Sequence, residues 1–315
     1  MEDRTELLIR AAQLYYEEGL NQNTIAGILR TSRPTVSRLL DEAKASGVVE
    51  IIVHDPIRKD PKLSYALRTK LNLRDAVVVT GSYDYPKALQ RCCEAGLQLF
   101  NSIMENNRVI GITWGSVPQL LSEQMEQRNY YNVNVVQMVG CLGTGNPNVD
   151  GLELAIRMSR KMNGTYSNIY APIYVKSEVV RDYLIQEPQI EATLRKAMHT
   201  DIILTGIGSM DAHTAIQEAG YWTDSDRMDM ISRGAVGHLL SRPYDKNGNP
   251  VERRDWYVVG APLEAMKAAE WSIGISAAEF KAEAVLGAIR GGYINTLIAD
   301  QKLAQKLLEL LAKTR

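Results

Sequence analysis

Leu20-Asn21-Gln22-Asn23-Thr24-Ile25-Ala26-Gly27-Ile28-Leu29-Arg30-Thr31-Ser32-Arg33-Pro34-Thr35-Val36-Ser37-Arg38-Leu39-Leu40 is the stretch on which the reading of the chain turns. Asn23 can cap a short helix whose buried face is Ile25, Ile28 and Leu29. Ser32 can cap the next, with Pro34 in the first turn, where a missing backbone N–H costs little. On that second helix, about 100° per residue gathers Val36, Leu39, Leu40 and Ala43 on one face. Pro34, Arg38 and Asp41 fall opposite, flanked by Thr35 and Ser37. A short helix, a tight turn and a second helix of this form make a helix-turn-helix, which lays its second helix in a DNA major groove. Arg33, Thr35, Ser37 and Arg38 are then candidates for base or phosphate contact, and Tyr16 and Gln22 for backbone phosphates. The alternative is a small packed bundle with a solvated polar face.

Outward from this stretch, Leu7, Leu8, Ala11, Ala12, Leu14 and Tyr15 recur at helical spacing until Gly19 stops the run. Val48 to Val53 reads as a β-branched strand, and the polar segment 54–61, with two prolines, as a linker or turn. Residues 1–58 hold seven Lys/Arg against nine Asp/Glu, while 30–44 hold four against two. One copy should therefore bind DNA weakly, and several copies engaging several half-sites are needed for useful affinity.

After a helix over about 61–71, short apolar runs alternate with amphipathic segments. The strand candidates are 76–80, 108–113, 133–139, 167–173, 201–206, 256–259, 272–275 and 294–299. The helix candidates are 86–104, 117–126, 152–163, 177–185, 188–198, 281–290 and 301–311. Strands buried on both faces and followed by helices are the sequence form of a parallel α/β sheet. The expected architecture is a small all-α helix-turn-helix domain of winged type over 1–56, and a large α/β domain with a mainly parallel sheet over 57–315.

Three glycine-containing loops follow strand candidates: Gly111-Ile112-Thr113-Trp114-Gly115-Ser116, Gly140-Cys141-Leu142-Gly143-Thr144-Gly145 and Gly206-Ile207-Gly208-Ser209-Met210. The first leads into a helix, so its hydroxyls and free helix-start N–H groups could hold a phosphate. Ligands of open α/β sheets lie at the carboxyl ends of strands, so these loops should converge on one crevice. None matches GxGxxG in a βαβ context or GxxxxGK[ST], so neither a nicotinamide cofactor nor nucleotide hydrolysis is supported, and no cofactor is expected. Lys281 lies just past a strand's carboxyl end, where it can either contact a phosphate or remain a solvated surface group.

Bulk properties narrow the class. In 315 residues, hydrophobic side chains make up 45 % and charged ones 23 %, with a formal net charge of -1, so any case for nucleic acid has to be local. Nothing approaches the roughly 18 unbroken apolar residues of a membrane helix, and a charged start without an apolar signal core predicts a cytoplasmic protein. Cys92, Cys93 and Cys141 form no CxxC pair, and the four histidines (His54, His199, His213, His238) are scattered, so no metal site is expected.

The chain resembles the SorC family of sugar-catabolism regulators over essentially its full length. The resemblance is carried in order by residues 12–22, Val36-Ser37-Arg38-Leu39-Leu40, 47–51, Gly111-Ile112-Thr113-Trp114-Gly115, Ala171-Pro172-Ile173-Tyr174-Val175, Gly206-Ile207-Gly208, Arg233-Gly234-Ala235-Val236-Gly237, Lys281-Ala282-Glu283-Ala284 and 291–298. It implies an effector domain built like sugar-phosphate isomerases and deaminases, with catalysis lost and ligand binding kept. It further implies a homotetramer, a dimer of dimers, on double-stranded operator DNA, with a phosphorylated sugar or polyol as effector. By motif position Thr113, Trp114, Gly115 and Ser116 form the phosphate loop and Lys281 is a ligand contact. The loop around Gly140–Gly143 and the Gly206–Gly208 turn would line the site. One departure matters: many relatives carry an Asp where this chain has His238, so either the ligand differs or the hydroxyl contact is made elsewhere. Some relatives hold their effector through a lysine where this chain has Cys141-Leu142, so covalent capture is not expected. The rival reading is an isomerase or deaminase with an accessory helical domain. It needs a general base, for which the loops offer only Asp211 and Glu264. A third possibility, an interaction module without DNA, is left open by the residues.

Overall fold

The computed structural model describes residues 4–50, 56–143, 145–210, 215–253 and 256–313. The chain divides into two compact units, Met1–Pro56 and Ile57–Arg315.

In the first unit the helix Arg4–Ala12 continues through a π-turn at Gln13–Glu17 and is followed by the helices Gln22–Ile28 and Arg33–Ala45. Asn21, not Asn23, caps the middle helix: its extended backbone lets Oδ1 accept from the Thr24 N–H at 3.0 Å, and Asn23 is already inside the first turn. Ser32 caps the third helix through the Thr35 N–H, with Pro34 in the first turn. Val36 and Leu40 pack on Leu14, Ile25 and Ala26, while Leu39 and Ala43 pack on Leu8, Ala11 and Ala12. Ile28, expected inside, is 49 % exposed, because the short middle helix turns Ile25, Ala26 and Leu29 inward instead. Val48–Glu50 form no strand. Gly47, at φ 75°, reverses the chain so that the Val49 N–H closes onto the Ala43 carbonyl at 2.9 Å and ends the helix. The remainder of that expected strand, 51–53, lies outside the described residues.

The second unit contains, in chain order, strands β1 Arg58–Lys59, β2 Asp75–Thr80, β3 Val109–Ile112, β4 Asn134–Gln137, β5 Thr165–Ser167, β6 Tyr174–Val175, β7 Ile202–Gly206, β8 Gly208–Ser209, β9 Ala235–Leu239, β10 Arg242–Asp245, β11 Tyr257–Val258, β12 Trp271–Ser276 and β13 Thr296–Asp300. Eight of them form one sheet in the order β1-β2-β13-β12-β7-β3-β4-β5, parallel except for β1. Its residues alternate between two cores. Ile202 and Leu204 of β7 and Ile273 and Ile275 of β12 join Cys92, Cys93 and Phe100 of the helix Tyr85–Ile103. Ile203 of β7 and Leu297 and Ala299 of β13 join Leu303 and Leu307 of the helix Gln301–Lys313. Both faces are thus covered by helices, as a parallel sheet requires.

From β3 the chain steps through β4 to β5. It then returns to β7 on the other side of β3 and continues away through β12 to β13. The direction of winding therefore reverses between β3 and β7, which is where such sheets open a crevice at their carboxyl ends.

Two small antiparallel sheets, β10-β9-β8 and β11-β6, flank the main one. The expected strand 167–173 is interrupted: it pairs at its start in β5 and again through an isolated parallel bridge of Pro172 to Cys141, with β6 beginning at Tyr174. Between them Pro172 has no N–H to give, and the Ile169 N–H is taken by the Gln137 side chain at 3.0 Å. The hairpin β9–β10 and the helices Ala215–Glu218, Asp224–Ser232 and Glu264–Ala268 add to the expected elements, and the expected helix 281–290 begins with a 3-10 turn, Glu279–Lys281.

Candidate functional site: a crevice at the strand ends

A cavity of about 430 Å³ opens at the carboxyl ends of β3, β7 and β12. Thr113, Trp114, Gly115 and Ser116 form the wall that follows β3, and Gly206 and Gly208 the wall that follows β7. His238 enters from β9, and Lys281 from the turn after β12. Eight of the ten residues singled out from sequence thus share one cavity. Gly140 and Gly143 do not line it. Gly140 is wedged between backbones: its N–H donates to the Val259 carbonyl at 2.9 Å, and a Cβ there would fall 2.6 Å from the Ala171 carbonyl oxygen. Gly143 meets Asp150, whose Oδ2 accepts from its N–H at 3.1 Å.

Gly115, at φ 102°, turns the chain directly into the helix Ser116–Gln124, so the first-turn N–H groups of that helix face the crevice without intrahelical partners. The Thr113 and Thr205 hydroxyls meet at 3.2 Å across the ends of β3 and β7. Lys281 is drawn over the same strand ends, its Nζ donating to the Ile207 carbonyl at 3.3 Å. The loop that carries it is pinned by Asp300, whose Oδ1 accepts from the Ala278 N–H at 2.9 Å and from the Leu303 N–H.

His238 is buried, with its ring edge-on to Trp222 at 5.0 Å and its Nε2 without a hydrogen-bond partner among the described residues. Burial, with the nearby Lys281 charge adding to it, pushes its pKa down to about 3, so the imidazole is neutral at physiological pH. Gly208 makes room for this ring: a Cβ there would sit 1.9 Å from His238 Nε2.

Among the described residues, no carboxylate lines the cavity, and Lys281 is its one formal charge. That balance suits an anion and offers no carboxylate as general base among the described residues. Glu264 stands exposed at the start of its own helix, outside the cavity, and Asp211 lies outside the described residues. His238, with a pKa near 3, is too weak a base for proton abstraction.

Sequence reasoning missed Tyr85, Gln119, Thr205, Ser241 and Ser276, which also line the cavity. Thr205 and Ser276 carried a usable signal, a hydroxyl at the carboxyl end of an apolar run, the same pattern as Thr113. Ser241 carried none, because it sits in the turn of an unanticipated hairpin.

In the first unit Arg33, Thr35 and Arg38 are exposed on the third helix and Ser37 is half-buried. Tyr16 is 39 % exposed, and Gln22 is half-buried at the start of the second helix. The neighbouring acids are engaged elsewhere: Glu42 pairs with Arg4, and Asp41 lies 4.0 Å from Lys44. Among the described residues neither Arg33 nor Arg38 forms an ion pair, while the Thr35 hydroxyl bonds that of Ser32 at 2.9 Å. The described residues hold no cluster of metal-ligating side chains, and no helix among them is long and apolar enough to cross a membrane.

A crevice with no carboxylate among its described lining residues, over the switch point of a parallel sheet, defines a small-molecule-binding α/β domain. The model of the family described as "Putative sugar-binding domain" matches residues 55–309. The sorbitol operon regulator of Klebsiella pneumoniae is 27 % identical over 98 % of this chain and 99 % of its own. The deoxyribonucleoside regulator of Bacillus subtilis is 27 % identical over 97 % and 98 %. The crystal structure of the full-length sorbitol operon regulator SorC from Klebsiella pneumoniae superimposes with a TM-score of 0.74, at 27 % identity, covering 98 % of this chain and 100 % of that one. The chain belongs to this sugar-binding domain family, among the SorC-type transcriptional regulators. It is a regulator, not an enzyme.

Proposed function

We propose that this regulator acts in the cytoplasm on a carbohydrate or polyol catabolic operon, and that a phosphorylated sugar or polyol in the crevice is its effector. The observation that carries the effector reading is the make-up of the cavity wall: Lys281, a helix start and several hydroxyls, with no described carboxylate. A phosphate monoester is an anion that accepts from many donors at once, and helix-start N–H groups with a lysine are the donors it takes. The remaining hydroxyls and the neutral His238 suit the hydroxyl groups of a sugar or polyol.

Operator binding is assigned to the helix-turn-helix formed by Gln22–Ile28 and Arg33–Ala45, with Arg33, Thr35, Ser37 and Arg38 toward the groove and Tyr16 and Gln22 toward phosphates. Supporting this are Arg33 and Arg38, exposed on the third helix and without an ion-pair partner among the described residues. The unit's low net charge favours a homotetramer, a dimer of dimers, engaging several half-sites. The domain boundary proposed with these roles falls after residue 56. Effector control then requires only that the ligand bind one subunit arrangement better than another.

A thermal-shift screen tests the effector: phosphorylated sugars and polyols should raise Tm and their unphosphorylated forms should not. Saturation at a hundred times Kd adds about 2.7 kcal/mol. Stabilisation by unphosphorylated sugars alone would remove the anionic anchor from the account. Footprinting of DNA upstream of the neighbouring operon, at low salt and with or without the stabilising compound, should show a protected duplex; finding none in any condition rejects operator binding.

A further inference from the structure

The wall of the crevice that comes from outside the main sheet is the tip of the hairpin β9–β10. Its two turn residues, Leu240 and Ser241, have φ of 46° and 61°, the left-handed region that two-residue hairpin turns usually fill with Asn-Gly or Gly. Neither residue is of that kind. The turn is nevertheless fixed from three sides. The Tyr174 hydroxyl donates to the Ser241 carbonyl at 2.8 Å, the Arg242 guanidinium donates to the Leu240 carbonyl at 3.1 Å, and the Trp114 indole Nε1–H donates to Ser241 Oγ at 3.2 Å. Strained backbone held this firmly beside a ligand cavity is the observation from which a role can be inferred.

A serine hydroxyl has one proton to donate and two lone pairs. Trp114 occupies one lone pair, and no described residue accepts the proton. Ser241 is only 2 % exposed, yet it lines the cavity. A buried hydroxyl whose donor has no protein partner is completed by whatever fills the adjoining space. The indole N–H also fixes the orientation of that donor, because with Trp114 on one side the O–H must point elsewhere. The anchors for an anion, Lys281 and the start of the helix Ser116–Gln124, belong to the strand ends of the large sheet, whereas Ser241 belongs to a separate sheet.

We propose that Ser241, oriented by Trp114, is a specificity-determining contact that donates its hydroxyl proton to an oxygen of the polyol part of the ligand rather than to its phosphate. This rests on the reading of the crevice as a sugar-phosphate site. A ligand lacking an acceptor oxygen at that point leaves the Ser241 donor buried and unpaired, which is how a polar site rejects a near match. Trp114 is then a positioning residue as well as part of the phosphate loop.

The test is calorimetric titration of the full chain with two kinds of probe, inorganic phosphate and a panel of phosphorylated hexitols and hexoses. Wild type is compared with Ser241→Ala, Ser241→Gly, Trp114→Phe and Lys281→Ala. Ser241→Gly removes the hydroxyl while suiting the left-handed backbone, so its fold is secure. Both serine variants should weaken the tightest sugar phosphate at least tenfold and inorganic phosphate less than twofold. Trp114→Phe should reproduce the loss, and adding it to Ser241→Gly should cost little more. Unchanged sugar-phosphate affinity in Ser241→Gly overturns the proposal, as does equal loss of both probes. Lys281→Ala should weaken both probes. Should it weaken neither while Ser241→Gly still discriminates, the anchor assignment fails and Ser241 stands. A wild-type protein that binds no probe overturns the reading of the site and Ser241 with it.

Discussion

The small helical unit and the α/β domain deploy their polar residues in opposite ways. On the helix Arg33–Ala45, Arg33 and Arg38 stand in solvent without an ion-pair partner among the described residues, and the described acids near them are paired away. In the crevice Thr113, His238 and Ser241 are all buried, and among the described residues a single lysine supplies the charge. The first arrangement suits a large polyanion met at a surface, where attraction is summed over many phosphates and screened by salt. The second suits a small anion enclosed among fixed donors, where screening is weak and geometry discriminates. Operator binding should accordingly fall steeply between about 50 and 200 mM salt. Effector binding should change little over the same range.

The largest effect that separates the two regions is expected from Leu40→Ala. Leu40 packs on Leu14, Ile25 and Val36, in a core with few other members. Its truncation costs about 2–5 kcal/mol. Operator binding should be lost, and calorimetry should show an early transition while the effector still stabilises the main one. A single transition shifted as a whole would mean that the two units melt as one body and the contrast between them fails.

Next in size are the exposed arginines. Arg38→Ala or Arg33→Ala should weaken operator binding by about 1–3 kcal/mol each and leave the effector Kd within twofold of wild type. Equal loss of both activities would point to misfolding.

The crevice has its own signature in pH. The unfolded chain protonates His238 below its ordinary 6.5, whereas in the folded protein the value is about 3. Between those limits the unfolded state binds the extra proton, so stability falls as pH falls. The loss is about 1.4 kcal/mol per unit, or about 2 kcal/mol by pH 5. The Tm of wild type should therefore drop further between pH 7 and pH 5 than that of His238→Gln. Parallel curves would show that this imidazole charges freely in the folded protein.

How much of this was legible in the residues depended on how local the physics was. The buried face Val36, Leu39, Leu40 and Ala43, the Ser32 cap and the strand cores of the large sheet follow from periodicity and backbone chemistry within one element, and all are found. The Asn21 cap was misplaced by two residues because either asparagine satisfies the same local rule, and only the extended backbone at Asn21 decides. Ser241 was illegible for a different reason. Its turn lacks glycine or asparagine and is held by Tyr174, Arg242 and Trp114, two of them remote in sequence. Gly140 shows the converse: a glycine after a strand that serves close backbone packing at Val259 and Ala171, not the cavity.

The smallest effect sharpens the comparison most finely. Ser32 Oγ accepts from the Thr35 N–H and also bonds the Thr35 hydroxyl at 2.9 Å, so it both caps the third helix and orients an exposed side chain proposed to meet DNA. Ser32→Ala should cost about 1 kcal/mol of stability in the helical unit. Ser32→Asp keeps a capping oxygen but places a negative charge at the start of the helix proposed to enter the groove. If the cap matters only for folding, Ser32→Asp restores both stability and operator affinity. If that helix start faces phosphate, Ser32→Asp restores the stability while operator affinity falls below that of Ser32→Ala, most of all at low salt. Effector binding, governed by the other region, should be the same in both variants.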